Sequence, residues 1–307
     1  MAKIFIDGSA GTTGLRIAER LDARDDIEVI KLPEALRKNN IARADAFYEA
    51  DVAFLCLPDM AAMEAVELCK NNDTVIIDTS TAHRVADGWV YGFPELHNQR
   101  EKIMASKRIA NPGCHASGFI SLIAPLVQKE IISKDARLSA FSLTGYSGGG
   151  KKMIAEYEDK NREILLKAPR QYGIAQMHKH LPEMKKLCGL KNEPIFCPIV
   201  ADYYAGMEVT VPLFKSDING TIEDIRNAYM EYYKDGLVHF VDGVDESGFL
   251  SANALEGRDD MQITVTGNDD RILLVSRFDN LGKGASGSAI QNMNLILGCP
   301  ESTGLNV

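Results

Sequence analysis

The sequence predicts an α/β protein: a parallel sheet with crossover helices, followed by a second domain of α+β type. Three observations carry that prediction. The N-terminal run "AKIFID" turns through glycines into "TTGLRIAERL", where Leu15, Ile17, Ala18 and Leu21 recur at helical spacing. Apolar runs "IEVIKL", "VAFLCL" and "TVIIDTS" then alternate with helix-like stretches such as "MAAMEAVELCKNN", the pattern of a parallel sheet. After the apolar stretch 114–127 the texture changes. The runs "RLSAFSLTGYS", "PIFCPIVADYYAGMEVTVPLF", "MQITVTG" and "RILLVSRFDN" are strand-rich with fewer helices between them, as in a mixed or antiparallel sheet.

The first domain is expected over residues 1–113 and the second over 114–282. The closing segment 283–307 opens with the helical run "KGASGSAIQNMNLILG" and has no strand after it, so it is expected to return and complete the first domain. With 307 residues and 45 % hydrophobic content, the chain has enough apolar side chains for one large core or two moderate ones. Its 34 basic and 43 acidic residues leave a net charge of −9, and no block of like charge reads as a nucleic-acid arm or a membrane patch. The expected partners are small molecules. No secretory leader is legible and no apolar run reaches the length of a membrane span, so a cytoplasmic location is expected.

Six cysteines are scattered without a Cys-x-x-Cys pair, which argues against a disulfide scaffold and against a zinc site. Cys56, Cys69, Cys188, Cys197 and Cys299 read as small buried hydrophobes, and no metal is expected.

In "DGSAGTTG" the glycines Gly8, Gly11 and Gly14 lie between a predicted strand and a predicted helix. Small residues there let the backbone approach a pyrophosphate, and the free N–H groups at the helix start stabilise the anion. The loop Gly8, Ser9, Ala10, Gly11, Thr12, Thr13 and Gly14 is therefore the candidate dinucleotide cradle of a Rossmann-type domain; the bland alternative is a tight turn with no ligand. A site for NAD usually ends its second strand with an acidic residue. Here "IEVIKL" runs into Pro33 and Glu34 with Lys31, Arg37 and Lys38 close by. Cations suit a 2′-phosphate better than a bare diol, so NADP is expected rather than NAD, with Glu34 the one residue that points the other way.

The stretch "NPGCHASG" places Cys114 directly after Asn111, Pro112 and Gly113 at the start of a long apolar run. A free thiol has a pKa of about 8.5, and the thiolate is the nucleophile, so the placement has to raise the thiolate fraction. A helix beginning at Cys114 would point unpaired backbone N–H groups at the sulfur, a dipole contribution of roughly 0.3–2 kcal/mol. Proline biases Asn111 toward extended backbone and glycine permits the sharp entry. On position alone, a buried cysteine that begins a helix reads equally well. Histidines His178 and His180 in "QMHKHLPE" are candidate proton-transfer partners. In an extended segment the pair would point both rings to one face, one for the proton and one for an anionic substrate. His83 and Arg84 follow another predicted strand, and Arg84 reads as a clamp for carboxylate or phosphate, with a surface ion pair as the alternative.

Taken together, "DGSAGTTG", "YGFPEL", "NPGCHASG", "HKHLPE" and "DNLGKGASGSAIQNMN" resemble the N-acetyl-gamma-glutamyl-phosphate reductases, arginine-biosynthesis members of the aspartate-semialdehyde dehydrogenase-like group. The matches run in order from Gly8 to Asn294; the cysteine loop and "DNLGKGASGSAIQNMN" are the most specific. The glycine-loop wording is more like the shorter branch of that family. "STAHR" departs from the Ser-Ala-Asp-Phe-Arg of the longer branch, and "GYSGGGKK" is a loose counterpart of its Ser-Gly-Ala-Gly loop. The resemblance implies an NADP-dependent reductase with Cys114 as nucleophile, one histidine of "HKH" as acid/base and Asn280 holding the nicotinamide amide; of the two histidines, His178 is taken for proton transfer and His180 for the substrate. Arg84, Asn111, His180, Ser147, Gly148 and Lys151 are expected around the substrate, and the resemblance implies a homo-oligomer. The competing readings are a neighbouring semialdehyde dehydrogenase acting on an aspartyl or aminoadipyl phosphate, and a non-catalytic NADP-binding sensor.

Overall fold

The computed structural model describes residues 1–70 and 73–307, so the last two residues of the helix-like stretch 60–72, Asn71 and Asn72, lie outside the described residues. The chain divides into two compact units, Met1–Pro112 with Ala285–Asn306, and Gly113–Gly284 with Val307.

The first unit begins β1 (Ala2–Asp7), α1 (Thr12–Asp22), β2 (Ile27–Ile30), α2 (Asn40–Glu49), β3 (Val52–Leu55), α3 (Asp59–Leu68) and β4 (Val75–Asp78). It continues with β5 (Val90–Tyr91), α4 (Gln99–Ala105) and β6 (Arg108–Ala110). The six strands form one parallel sheet in the order β2-β1-β3-β4-β6-β5. Strands buried on both faces need apolar residues at every position, and β3, "VAFL", is buried throughout. The period of two splits these residues between two cores. Ile4, Val52, Phe54 and Ile77 face a cluster with Ile17 and Leu21 of α1, whereas Phe5, Ala53, Leu55 and Ile76 face Phe47 of α2 and Ala62 and Ala65 of α3. The side chain of Asn39 accepts from the amides of Ile41 and Ala42 and starts α2.

The second unit contains α5 (Cys114–Gln128), β7 (Ser139–Gly145), α6 (Gly150–Glu158), β8 (Arg170–Gln171), α7 (Leu181–Cys188), β9 (Ile195–Ala201) and β10 (Met207–Phe214). There follow α8 (Ile222–Tyr232), β11 (Val238–Phe240), β12 (Met261–Gly267) and β13 (Arg271–Phe278). Its seven strands form a mixed sheet in the order β11-β12-β13-β10-β7-β9-β8. Pairs β7/β9 and β11/β12 are parallel and the rest antiparallel.

Helix α5 is buried almost from end to end and packs on this sheet, with Gly118 placed where a Cβ would stand 2.4 Å from the Val209 side chain. Pro125 inside α5 removes the N–H that would bond the carbonyl of Ser121. The Tyr233 hydroxyl donates to that carbonyl instead, at 2.6 Å, and the Tyr229 hydroxyl donates to the next one, Leu122, also at 2.6 Å. The carbonyl orphaned by the proline is thus satisfied by a phenol, and α5 continues through Pro125.

The last helix, α9 (Gly287–Ile296), belongs to the first unit, where Ala289, Ile290, Met293 and Leu295 join the core of Ile4 and Ile17. Its polar residues are buried too. Asn292 Nδ2 donates to the carbonyl of Gly92 at 2.9 Å, and Gln291 Nε2 donates to Glu95 at 2.9 Å. Among the described residues no helix is long and apolar enough to cross a membrane.

Candidate functional site

In the first unit the loop after β1 lies between the carboxyl ends of β1 and β3, the two strands at which the strand order reverses. Gly8 has φ +89° and a Cβ there would stand 2.3 Å from the carbonyl oxygen of Cys56; at Gly14 it would stand 2.6 Å from that of Gly8. Glycine at both positions is therefore a steric requirement of the turn. Gly11 is the N-cap of α1 and supplies no side-chain cap, and the Thr12 hydroxyl is buried with no hydrogen-bond partner among the described residues. Backbone N–H groups and a hydroxyl left without protein partners at a helix start fit an anionic phosphate. Beyond β2, Lys31 pairs with Asp22 at 2.7 Å and Arg37 with Glu34 at 3.4 Å, all exposed. Exposed pairs of this kind are worth little, so both cations remain available to a ligand.

Two further predicted residues of this unit carry structural bonds. Arg84 donates from Nε to the carbonyl of Asn111 at 3.0 Å and from Nη2 to that of Thr79 at 3.3 Å. Asn111 is buried, donating to the carbonyl of Ala285 at 3.0 Å and accepting from Asn292 at 3.4 Å, so its amide ties the end of β6 to the α9 segment. His83 bonds Asp78 at 2.6 Å and stacks on Trp89 with ring centroids 4.0 Å apart.

In the second unit Cys114 is the first residue of α5, behind Gly113 as N-cap, with no side-chain cap on the helix. The segment at Gly284 crosses so closely that a Cβ there would lie 3.0 Å from Cys114 Cβ. Around this helix start, segments distant in sequence converge. The Glu183 carboxylate, from α7, accepts from the amide of Gly113 at 3.2 Å and lies 3.8 Å from His180 Nε2. The rings of His115, His178 and His180 form a cluster with centroids 5.8, 5.5 and 4.7 Å apart, flanked by Phe196. Among the described residues no group of three or more His, Cys, Asp or Glu is arranged to hold a metal ion.

The histidine pair does not lie in an extended segment. His178 and His180 occupy a turn in which the His178 carbonyl accepts from Leu181 and the His180 carbonyl from Met184. Residue 180 has φ −84° and ψ −14° because α7 begins at once, with Pro182 in its first turn. The rings still meet, through winding and not through alternation, and the amide of His180 donates to His178 Nδ1 at 3.3 Å. Burial of the other cysteines also departs from expectation: Cys69 and Cys188 are buried, but Cys56, Cys197 and Cys299 are half-buried. Cys197 falls on the outer face of β9 with Ile195 and Ile199. Burial nevertheless pushes the Cys56 thiol up to about 12, so it is inert at neutral pH.

Asn280 accepts from the amide of Gly206 at 2.9 Å and donates to Ser147 Oγ at 3.0 Å, which fixes the turn after β7 that carries Gly148. Lys151 stands exposed in the first turn of α6.

Four residues of this cluster escaped the sequence reading: His115, Ser142, Tyr172 and Glu183. Glu183 had a signal, its i+3 spacing from His180. His115 is adjacent to the thiol and Ser142 lies mid-strand, but Tyr172 has no pattern of its own, since a loop residue is placed only by the folded chain.

Residues 114–280 match the family model described as semialdehyde dehydrogenase, dimerisation domain, and residues 3–105 match semialdehyde dehydrogenase, NAD binding domain. The N-acetyl-gamma-glutamyl-phosphate reductases of Brucella ovis and Brucella canis are each 47 % identical over 306 residues, covering 96 % of this chain and 99 % of theirs. Among solved structures, the aspartate semialdehyde dehydrogenase II of Vibrio cholerae superposes with a TM-score of 0.72 at 15 % identity, covering 97 % of this chain and 98 % of that one. The Candida albicans aspartate semialdehyde dehydrogenase, solved with NADP, gives 0.66 at 13 % identity over 96 % and 98 %. At such identities the structures attest the fold, and the sequence relatives attest the branch. The chain belongs to the semialdehyde dehydrogenase family, and within it to the N-acetyl-gamma-glutamyl-phosphate reductases.

Proposed function

We propose that this protein reduces N-acetyl-L-glutamyl 5-phosphate to N-acetyl-L-glutamate 5-semialdehyde and phosphate through a Cys114 thioester, as a step of arginine biosynthesis in the cytoplasm. The observation that carries the reading is a thiol at the uncapped N-terminus of a buried helix, next to a cluster of imidazoles. Cys114 passes its proton to His178 and the thiolate attacks the acyl carbon; the C–S bond forms, the C–O bond to phosphate breaks, and phosphate leaves with the electron pair. Held by the loop 8–14 and Asn280, the reduced nicotinamide cofactor, with the NADP form preferred to NAD, would supply the hydride equivalent that the thioester carbonyl carbon needs. As the resulting oxyanion collapses, the C–S bond breaks, the sulfur leaves with its electron pair, and His178 returns a proton to it. The aldehyde is then free. Dividing one hard reduction into two additions to a carbonyl lets the same N–H groups at the start of α5 stabilise the oxyanion of each. His180 and the loop of Ser147, Gly148 and Lys151 are assigned to the substrate.

Lys31, Arg37 and Lys38, following β2, support NADP over NAD. The outer face of the mixed sheet leaves Phe141, Ile195 and Leu273 exposed, which supports a homo-oligomer through the dimerisation domain.

The test is phosphate-dependent oxidation of N-acetylglutamate semialdehyde and of aspartate semialdehyde, side by side, with NADP and NAD. Preference for the acetylated aldehyde and NADP is expected, with Cys114→Ala lowering turnover by more than about 10³-fold. Undiminished turnover in Cys114→Ala contradicts the thioester, and preference for the aspartyl compound moves the substrate to the neighbouring branch.

A further inference from the structure

His115 follows the thiol immediately, yet its ring is turned away into the protein and is only 3 % exposed. Both of its nitrogens are bonded: Nδ1 lies 2.6 Å from Ser142 Oγ of β7, and Nε2 lies 2.5 Å from the Tyr172 hydroxyl. Burial, and then the charge of the neighbouring His178, push its pKa down to about 3, so the imidazole is neutral and carries one N–H. Tyr172 is half-buried beside the same cluster, with its ring 5.9 Å from that of His178. Burial and the nearby Cys114 thiol raise its phenol pKa, so it keeps its proton.

Two proton arrangements satisfy a neutral ring. If Nδ1–H donated to Ser142, the buried Ser142 hydroxyl would need an acceptor of its own, and among the described residues it has none besides His115. If Ser142 donates to Nδ1, then Nε2–H donates to the Tyr172 oxygen, and no buried donor is left over. The second arrangement frees the Tyr172 proton to point away from His115.

We infer that Ser142 and His115 form a fixed relay of hydrogen bonds that turns the Tyr172 O–H toward the thiol site, where it donates to the oxygen of the tetrahedral adduct on Cys114. Tyr172 is then a catalytic residue, and His115 and Ser142 are positioning residues. The inference rests on the thioester reading for its function but not for its geometry. No proton is consumed: the phenol stays protonated and stabilises the oxyanion as it forms and collapses.

The relay is tested by two readouts on the full-length protein. Long-range ¹H–¹⁵N spectra of histidine-labelled protein should show His115 as the neutral Nε2–H tautomer at pH 5 to 8; an Nδ1–H tautomer overturns the proposal whatever the enzyme does. In the aldehyde-oxidation assay, Tyr172→Phe should lower kcat by about 100-fold, with KM little changed, as for loss of one oxyanion donor. His115→Leu should lose as much, His115→Gln, whose amide N–H replaces Nε2–H, should recover most of it, and the Tyr172→Phe/His115→Leu pair should be no worse than Tyr172→Phe alone. Unchanged kcat in Tyr172→Phe, or additive losses in the pair, overturns the relay. Since His115→Leu can also fail by misfolding, its melting temperature is recorded, and Tyr172→Phe and the spectrum decide without it. Wild-type protein inactive on both semialdehydes overturns the functional reading and leaves the spectrum to decide the tautomer.

Discussion

The glycine loop of the first unit and the thiol site of the second are made of opposite materials. The loop is a site of backbone, where what counts is the absence of side-chain atoms: a Cβ at Gly8 or Gly14 would collide with a carbonyl. The thiol site is a site of side chains gathered from α5, β7, the turn before α7, and α7 itself. The first is therefore broken by adding atoms and the second by removing them.

The larger of the two expected effects on stability breaks the backbone site. Gly8→Ala meets both φ +89° and an oxygen 2.3 Å away, which costs about 2–4 kcal/mol in strain and overpacking. A lower melting temperature and a KM for NADP raised at least about tenfold are expected, with alkylation of Cys114 unchanged in rate. A variant with normal cofactor affinity contradicts the assignment of the loop.

A smaller effect sharpens the side-chain half. The folded pKa of His115, about 3, lies below its ordinary value, so between pH 6.5 and about 3 the unfolded chain binds a proton that the folded one refuses. Stability contributed by the neutral ring is present above pH 6.5 and lost as pH falls through that window. His115→Gln should flatten the acid limb of urea-denaturation stability there, and an unchanged limb would mean that the ring is not held neutral by burial.

The same contrast explains what could be read in advance. Strand runs, the glycine loop and the start of α5 at Cys114 were legible because each depends on neighbours in sequence: periodicity, a steric vacancy, a Pro-Gly entry. The conformation of "HKH" was not legible, because α7 starts one residue later and the pair is wound into the turn that precedes it. Asn111 and Arg84 were legible as special, but their bonds to backbone carbonyls, of Ala285 and Thr79 among others, were not, because no motif announces them. Tyr172 and Ser142 were silent, because a tyrosine and a serine acquire meaning only when the fold sets them on either side of an imidazole.

The central claim is that an acyl group passes through Cys114. The most direct measurement is the mass of the protein after mixing with N-acetylglutamyl phosphate in the absence of nicotinamide cofactor, followed by peptide mapping. One N-acetylglutamyl group on the Cys114 peptide, discharged on addition of NADPH, is the predicted result. No adduct, or an adduct on another residue in a preparation that still turns over, would contradict it.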